Sequence, residues 1–457
     1  MDESQELETK NIGELLLKFS IPAVIGMLVN ALYSVVDRIF IGRGVGSMAL
    51  SGVAITFPIT NIIMGVGMLI GAGSAAVVSI KLGEKKDKEA EKIIGNAFVL
   101  TMILPIMVSI VGLMFLRPIL ELFGASPEMM PYSMKFASIL LAGGILQNVG
   151  FGLNPIIRSI GDPRTAMKTM LIGAILNFIM NPLFIFVFKM GVAGSALATL
   201  ISQAVCSVWI VKYFISNSII KLKRVNMKLE KHIVLEIISI GVSPFIMQVA
   251  ASAVTVIINK SLVRYGGDLA VGAYSLIISI AILIIMPILG VNQGAQPIIG
   301  YNYGARNIQR VKKTLVYAII INTCISAVGW MILELFPVQI ISIFNKTDLG
   351  LISLASNGLA IFLMSFWAVG AQVSCVNYFQ AVGKAGHSMV LSLLRQVVIL
   401  IPLVIVLPHF FQLKGVWMAG PIADFSALII TVIFLVFEMK NLKRIETSIK
   451  LNQFRGC

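Results

Sequence analysis

Long apolar stretches separated by short polar segments run along almost the whole chain. About 20 apolar residues suffice to cross the hydrocarbon core of a bilayer as a helix. The pattern predicts twelve spans, at roughly 15–41, 49–79, 93–116, 131–159, 165–188, 191–216, 234–263, 269–300, 314–336, 351–380, 388–410 and 415–438. The long spans contain Pro or Gly, so we expect them to be tilted or kinked. The predicted fold class is an all-α integral membrane protein.

The two halves of the chain repeat one pattern. Pro22 and Pro244 stand 222 residues apart at equivalent points of two apolar stretches, and Gly161 and Gly383 repeat at the same offset. Parallel repeats usually pack around an axis along the membrane normal and hold a substrate site between them. We therefore expect two six-helix repeats. The predicted parts are an N-terminal lobe at 1–216, a cytoplasmic linker at 217–233, a C-terminal lobe at 234–440 and a cytoplasmic tail at 441–457.

Composition supports the membrane class. Hydrophobic residues make up 58% of the 457 residues and charged residues only 12%, and the mean hydropathy of +0.94 lies outside the range of soluble proteins. We expect no cleavable signal peptide, because residues 1–13 are acidic and polar. The cysteines have no CxxC spacing and no His partner, so we predict reduced packing residues without a metal site or disulfide. They are Cys206, Cys324, Cys375 and Cys457.

The net charge of +15 is unevenly distributed. With a cytoplasmic N-terminus, 27 of the 36 Lys and Arg fall on the inner side. Positive charge concentrates in cytoplasmic loops, so this excess predicts a multi-pass protein of the inner (plasma) membrane with both termini cytoplasmic. Basic loops then contact the lipid bilayer. Binding to nucleic acid is not expected, because no basic stretch carries interleaved stacking aromatics.

Of the 21 acidic residues, most fall in loops or at helix ends, whereas Asp37 and Asp424 do not. Desolvation in a membrane bundle favours the protonated form of a carboxyl group, so such a group can bind and release one proton. Tyr33 precedes Asp37 by one helical turn and Asn30 by nearly two, on roughly the same face. Asp37 is therefore the predicted ion-coupling residue, and Asp424 is a weaker candidate.

Amide side chains of the fifth span supply possible partners. Asn177 and Asn181 are four residues apart and share a helix face. Pro182 follows directly and loosens the helix there, which leaves carbonyl groups available for an ion or water. Together with Thr199 of the sixth span, these residues are candidates for a polar pocket with Asp37.

Simpler interpretations remain open for each candidate. Asp37 adjoins Arg38, and the two are also compatible with an interfacial charge pair at a helix end. Asn177 and Asn181 are also compatible with interhelical hydrogen bonds that only join the bundle. Asp424 has a small or apolar counterpart in the first half, so a structural or substrate-attracting role is as reasonable as ion coupling.

Several motifs resemble those of the multidrug and toxic compound extrusion (MATE) family. They are YSVVDRIFIG at 33–42 followed by ALSG at 49–52 and Pro58, RSIGDP at 158–163, the fifth-span stretch 177–182, and QAVGK at 380–384. The similarity covers nearly the whole chain, with its length, twelve spans and duplication. It implies two six-helix lobes in a V shape that export amphipathic organic cations and drugs in exchange for protons or sodium ions.

The resemblance also implies roles for single residues. The cation site of the family's N-terminal lobe falls on Asp37, Tyr33, Asn177, Asn181 and Thr199, its drug contacts on Met27, Asn30 and Asn154, and its proposed bend in the first span on Pro22. We expect a monomer that needs no cofactor besides the coupling ion, H⁺ or Na⁺.

One departure from the family pattern concerns the ion. Many relatives carry an aspartate where this chain has Asn181, so Asp37 is left as the only acid of that cluster. The second half lacks the acids that sodium-coupled relatives carry, and shows Asn259, Lys260 and Asn377 instead. The identity of the coupling ion therefore stays open, with protons favoured.

Two other functions fit the sequence less well. A lipid-linked oligosaccharide flippase of the same superfamily typically lines its cavity with Arg and Lys to hold pyrophosphate, but here only Lys260 and Arg395 stand out within spans. A membrane-embedded enzyme needs a cluster of acidic, His or Ser groups near one interface. The three His residues are scattered and unpaired with acids in the sequence. We therefore predict a transporter and not an enzyme.

Overall fold

The computed structural model describes residues 3–344 and 349–455, so Cys457 and the end of the predicted tail lie outside the described residues. Within those ranges the chain forms helices and no strand. An α-helix satisfies its own backbone hydrogen bonds, which a segment surrounded by lipid cannot do through water. The apolar stretches of the sequence therefore fold as helices.

The described residues of the first half form ten α-helices. They are α1 (Glu3–Thr9), α2 (Ile12–Gly44), α3 (Ser47–Ile55), α4 (Phe57–Gly83), α5 (Asp87–Met114), α6 (Leu116–Leu122), α7 (Met130–Ala142), α8 (Gly144–Ser159), α9 (Pro163–Pro182) and α10 (Val192–Lys212). Two π-helical turns, Leu183–Val187 and Tyr213–Asn217, follow α9 and α10, and a 3₁₀ turn, Arg224–Met227, lies in the linker.

The second half has fewer and longer helices among its described residues. They are α11 (Lys231–Gly304), α12 (Ile308–Leu335), α13 (Pro337–Phe344), α14 (Leu349–Phe362), α15 (Val369–Ala381), α16 (Ala385–Leu393) and α17 (Ile401–Arg455), with a 3₁₀ turn at Phe366–Ala368 and a π-helical turn at Leu394–Leu400. Two of these helices contain a residue with left-handed backbone angles, Gly267 (φ 66°) in α11 and Gln412 (φ 51°) in α17. Each falls where the hydropathy pattern predicts a break between two spans.

In the described ranges, nine helical segments are long and apolar enough to cross a membrane, and two further bent pairs raise the number to eleven. The bent pairs are α7 with α8, at 56°, and α14 with α15, at 48°. One of the nine segments, Ala385–Ile449, contains Gln412, and dividing it there gives the twelve predicted spans. The predicted second span is also broken, at Thr56, because the proline that follows at Pro58 can begin a helix but cannot continue one.

The chain divides into two compact units, and the boundary does not follow the linker. The first unit contains Met1–Glu8 and Ile25–Val249, and the second contains Thr9–Val24 and Ala250–Cys457. The start of α2 therefore packs with the second unit and the start of α11 with the first. Pro22 is buried inside α2, shortly before the boundary between Val24 and Ile25.

Within the first unit, α4 and the start of α11 approach each other closely through glycines. A Cβ atom placed on Gly241 would lie 1.7 Å from the backbone oxygen of Leu69, and one on Gly73 would lie 2.2 Å from that of Ile237. Small residues allow membrane helices to pack backbone against backbone. Only glycine fits these two positions without a shift of the main chain.

The linker is tied to α5 of the same unit. Asn96 of α5 makes two of the hydrogen bonds to the linker. Its side-chain amide donates to the carbonyl of Lys228 at 3.2 Å and accepts from the backbone N–H of Glu230 at 2.9 Å. Lys92 forms an ion pair with Glu230 at 2.9 Å, and Lys223 forms one with Glu91 at 2.7 Å. The polar linker is thus a structured part of the first unit.

We expect Gly241→Ala to destabilise the protein, because the added methyl group meets main-chain atoms that cannot rotate away. Overpacking of this kind costs about 1–3 kcal/mol, occasionally more. The measurement is the thermal unfolding midpoint of purified protein in detergent. Gly386→Ala is the matched control, since a Cβ atom there meets nothing within 4 Å. Equal midpoints for the two variants would contradict the close approach of α4 and α11.

Candidate functional site

The carboxylate of Asp37 lies in the first unit, on α2, and accepts hydrogen bonds from two other helices. Asn181 of α9 donates one through its Nδ2 atom, and Ser195 of α10 donates the other through its hydroxyl at 2.7 Å. Both donors are neutral. Asn181 is fully buried, while Asp37 is partly buried. The three helices thus converge on one acidic group.

The hydrogen bonds continue from this carboxylate through the bundle. Asn181 also contacts Asn177, with 3.4 Å between its Nδ2 and the Asn177 Oδ1. Asn177 donates to the Thr199 hydroxyl at 3.1 Å, and the Tyr33 hydroxyl lies beside that of Thr199. The five residues predicted to form the ion-coupling cluster are therefore neighbours in space. Their role in coupling remains a prediction.

Helical periodicity explains why three helices build this cluster, which we call the Asp37 cluster (Tyr33, Asp37, Asn177, Asn181, Ser195 and Thr199). Each helix contributes two residues four positions apart, and such residues lie one above the other on the same face. Pro182 ends α9 directly after Asn181, and the chain continues as the π-helical turn Leu183–Val187. Such π-helical turns often occur at functional sites.

Arg38 forms no ion pair with Asp37, although the two charges lie within electrostatic range of each other. Its guanidinium carbon lies 4.6 Å from the centre of the Phe57 ring, which is the geometry of a cation–π contact. Among the described residues, Asp37 has no ion-pair partner. The interfacial charge pair that the sequence leaves open is therefore not the arrangement found, because Arg38 is directed to a ring on α4 and Asp37 to α9 and α10.

The donor set leaves the carboxylate able to accept a cation. Only neutral groups contact it, so a bound proton or metal ion would not have to displace a positive side chain. The Oδ1 atom of Asn181 is buried and has no hydrogen-bond partner among the described residues. Carboxylate, amide and hydroxyl oxygens are the ligands that hard cations prefer. The Asp37 cluster is thus suited to either a proton or a hard cation.

Among the residues predicted to contact substrate, Asn154 makes hydrogen bonds outside the Asp37 cluster. Asn154 donates to the carbonyl of Ala166 at 3.0 Å and accepts from the Arg158 guanidinium at 2.7 Å. The bond to Ala166 ties α8 to α9, whereas the bond from Arg158 lies within α8. Met27 and Asn30 lie half-buried on α2, before Tyr33. Their contact with substrate and the bend at Pro22 stay predictions.

The sequence alone did not predict two contacts, the hydrogen bond from Ser195 to Asp37 and the ion pair of Arg395 with Asp424. Ser195 lies four residues before Thr199, so the same spacing rule that paired Asn177 with Asn181 also points to it. The second is the partner of Asp424. The Arg395 Nε donates to the Asp424 Oδ1 at 2.6 Å, inside the second unit. Their separation of 29 residues carries no local signal, and only the packing of the last two spans shows the pair.

Comparison with known proteins gives matches along nearly the whole chain. The MatE family model matches residues 22–183 and 244–406, once in each half. Multidrug export protein MepA of Staphylococcus saprophyticus is 28% identical over 428 residues, which cover 93% of this chain and 94% of that protein. Multidrug export protein MepA of Staphylococcus aureus strain MRSA252 is 27% identical over 453 residues, or 96% and 97% of the two chains.

Solved structures agree with this result. The MATE multidrug transporter DinF-BH, solved as a complex, superimposes with a TM-score of 0.89 at 36% identity, and the match covers 95% of this chain and 97% of that chain. A crystal structure of MATE in complex with MaL6 gives a TM-score of 0.91 at 24% identity, with 96% and 99% covered. These matches confirm the predicted all-α membrane fold with twelve helices in two repeats.

We expect Asp37 and Asn181 to be energetically coupled. In a double-mutant cycle with Asp37→Ala and Asn181→Ala, the coupling free energy should reach about 1–3 kcal/mol, because the carboxylate is the acceptor of the amide. Asn154→Ala supplies the matched control in a second cycle with Asp37→Ala, where coupling should stay below about 0.5 kcal/mol. Thermal unfolding of the purified variants measures both. Similar coupling in the two cycles would disprove the arrangement described for Asn181.

Proposed function

Because the chain belongs to the MatE family of multidrug and toxic compound extrusion transporters, we propose that it exports amphipathic organic cations in exchange for protons, or for sodium ions. The relatives named multidrug export proteins and the multidrug transporter DinF-BH support this substrate class. We place the protein in the plasma membrane with both termini cytoplasmic, as the distribution of Lys and Arg favours.

One observation carries the proposal: a carboxylate inside a membrane bundle that is bonded only to neutral donors. A charged side chain within the membrane is costly and usually marks an ion or substrate pathway. Asp37 accepts from Asn181 and Ser195 and has no ion-pair partner among the described residues. We therefore propose that a transported ion neutralises its charge, since Arg38 lies within electrostatic range but forms no ion pair with it.

The proposed cycle uses this property of Asp37. In the outward-open state the carboxylate binds a proton or sodium ion from outside, which neutralises its charge. The hydrogen bonds that Asn181 and Ser195 donate to the anion weaken, and α2 rearranges near Pro22, where the missing N–H removes one hydrogen bond of the helix. The bound drug then loses affinity and leaves outward. Inward opening releases the ion to the cytoplasm.

The charge of the exported drug decides whether the membrane potential can drive the exchange. One positive charge moving inward gains about 2.3 kcal/mol per 100 mV of membrane potential. At 100 mV, this energy could hold the outside concentration of a neutral drug roughly fiftyfold above the inside concentration, since about 1.4 kcal/mol corresponds to one factor of ten. Exchange of one inward ion for one outward monovalent organic cation is electrically silent. Such exchange depends on the chemical gradient of the ion alone.

Replacement of the carboxyl group should uncouple transport. We expect Asp37→Asn to abolish ion-driven efflux of ethidium from proteoliposomes, because the amide cannot bind and release a proton and carries no charge for a metal ion. Arg38→Gln is the comparison variant: it removes a charge within electrostatic range of Asp37 but no hydrogen bond of the cluster, so ion-driven efflux should persist. Full ethidium efflux by the Asp37→Asn variant would reject the coupling role of Asp37.

Separate gradients should identify the ion. Wild-type proteoliposomes are given an inward proton gradient without sodium and, in a second experiment, an inward sodium gradient at equal pH on both sides. With Asp37 as the only acid of its cluster, we expect the proton gradient to drive efflux. Efflux under the sodium gradient alone would assign the cluster to sodium. Efflux under neither gradient would contradict the antiport proposal.

A further inference from the structure

The second unit holds an ion pair within its spans that the proposed cation exchange does not use. Asp424 of α17 is buried, with 8% of its side chain exposed, and its Oδ1 atom lies 2.6 Å from the Nε of Arg395. Arg395 belongs to the π-helical turn Leu394–Leu400. Both residues lie inside the apolar segment Ala385–Ile449, well within the predicted spans.

The pair is not required by the fold of the repeat. At the repeat offset of 222 residues, or one or two more, the corresponding positions of the first half fall within 171–173 and 200–202, and all of these residues are uncharged. The same two helices of the first unit thus pack without an ion pair. Buried ion pairs are in general no more stabilising than apolar residues of similar volume. A reason other than stability is therefore needed for Arg395.

The contact geometry leaves most of the guanidinium group unused. Asp424 engages only the Nε atom. Among the described residues, the Nη1 and Nη2 atoms of Arg395 have neither a hydrogen-bond partner nor an ion-pair partner. These two nitrogens form the fork that binds a carboxylate through two parallel hydrogen bonds. The fork is thus free to receive a second oxyanion.

Exposure shows which of the two residues a ligand would reach. Arg395 has 31% of its side chain exposed, against 8% for Asp424. A charged group in a membrane span faces the bundle interior or a water-filled path, because facing lipid is too costly. The acid therefore lies behind the guanidinium group, compensates its charge and limits its rotation. The outer part of Arg395 is the part that meets a ligand.

Aromatic residues form an apolar wall beside the pair. Tyr274 lies within electrostatic range of Arg395. Its ring centre is 5.6 Å from that of Phe362 and 6.3 Å from that of Trp417. A low-polarity environment strengthens a hydrogen bond between charged groups, since water competes less. Tyr274 and Trp417 are buried in the core of the second unit, and Phe362 is the most exposed of the three rings.

We propose that Arg395 binds the carboxylate of zwitterionic substrates, and that Asp424 is a positioning residue that holds the guanidinium group in place. This inference rests on the proposed function and adds to it the residue that recognises the carboxylate of substrates that carry an organic cation and a carboxylate together. The positive part of such a molecule needs an acid elsewhere, so Arg395 acts as a determinant of specificity.

Two rhodamine dyes test the proposal as a matched pair. Rhodamine 19 carries a free carboxylate, and rhodamine 6G is its ethyl ester with the same aromatic cation. Binding is measured by fluorescence anisotropy with the full chain in phosphatidylcholine nanodiscs. For Arg395→Gln we expect the affinity ratio of rhodamine 19 to rhodamine 6G to fall about tenfold or more, the usual effect of losing a charged hydrogen-bond partner. Arg395→Lys should give a smaller fall, because Lys keeps the charge but lacks the fork.

Control variants separate this effect from folding and from general electrostatics. The double variant Arg395→Gln with Asp424→Asn leaves no unpaired acid, and should show the same fall in the ratio. Lys260→Gln removes one positive charge from another span of the second unit and should leave the ratio within twofold of wild type. An equal fall in Lys260→Gln, or an unchanged ratio in both Arg395 variants, would overturn the proposal.

The remaining outcomes distinguish this inference from the proposed function. If the wild type binds and exports rhodamine 6G but does not bind rhodamine 19, the zwitterion site is wrong and the cation exporter stands. If the wild type exports neither dye, the proposed function fails first. Repeating the titration in phosphatidylglycerol nanodiscs tests a lipid phosphate as occupant. Loss of rhodamine 19 binding there would assign Arg395 to the lipid and overturn the substrate assignment.

Discussion

A carboxylate placed inside a membrane bundle must be stabilised by its surroundings. At Asp37 this requires three helices of the first unit to meet at one group. Two neutral donors, Asn181 and Ser195, come from α9 and α10 to meet one acceptor on α2. A permanent positive partner would stabilise the anion further but would also prevent cation exchange. The neutral donor set stabilises the carboxylate and leaves it able to bind the cation that we propose it exchanges.

The two units handle buried charge in opposite ways. In the first, Asp37 has only neutral partners, and the nearby Arg38 is held over the ring of Phe57. In the second, Asp424 is paired directly with Arg395. The first arrangement suits the cation exchange that we propose for Asp37. In the second, Asp424 holds the guanidinium group of Arg395 in place, and the remaining N–H groups of Arg395 are left for an anion. The repeat therefore supplies one scaffold with two different electrostatic environments.

Close backbone approach explains how such sites hold their geometry. Gly73 and Gly241 bring α4 and the start of α11 together in the first unit, and Gly290 and Gly294 do the same for α11 and the start of α2 in the second. The start of α11, a helix of the second half, thus packs with the first half of the sequence. The start of α2, a helix of the first half, packs with the second half. Membrane helices have no hydrophobic drive to associate, so packing through small residues carries much of the stability.

The sequence alone determined the membrane class, the positions of the spans and the duplication, because hydropathy and the need to satisfy the backbone leave few alternatives to helices in lipid. It also determined which residues share a helix face, since a spacing of four places Tyr33 below Asp37 whatever surrounds them. Tertiary structure decided which faces meet. The bond from Ser195 to Asp37 joins residues 158 positions apart, and that from Arg395 to Asp424 joins two spans. Periodicity acts along a single helix, whereas contacts between helices depend on how all of them pack.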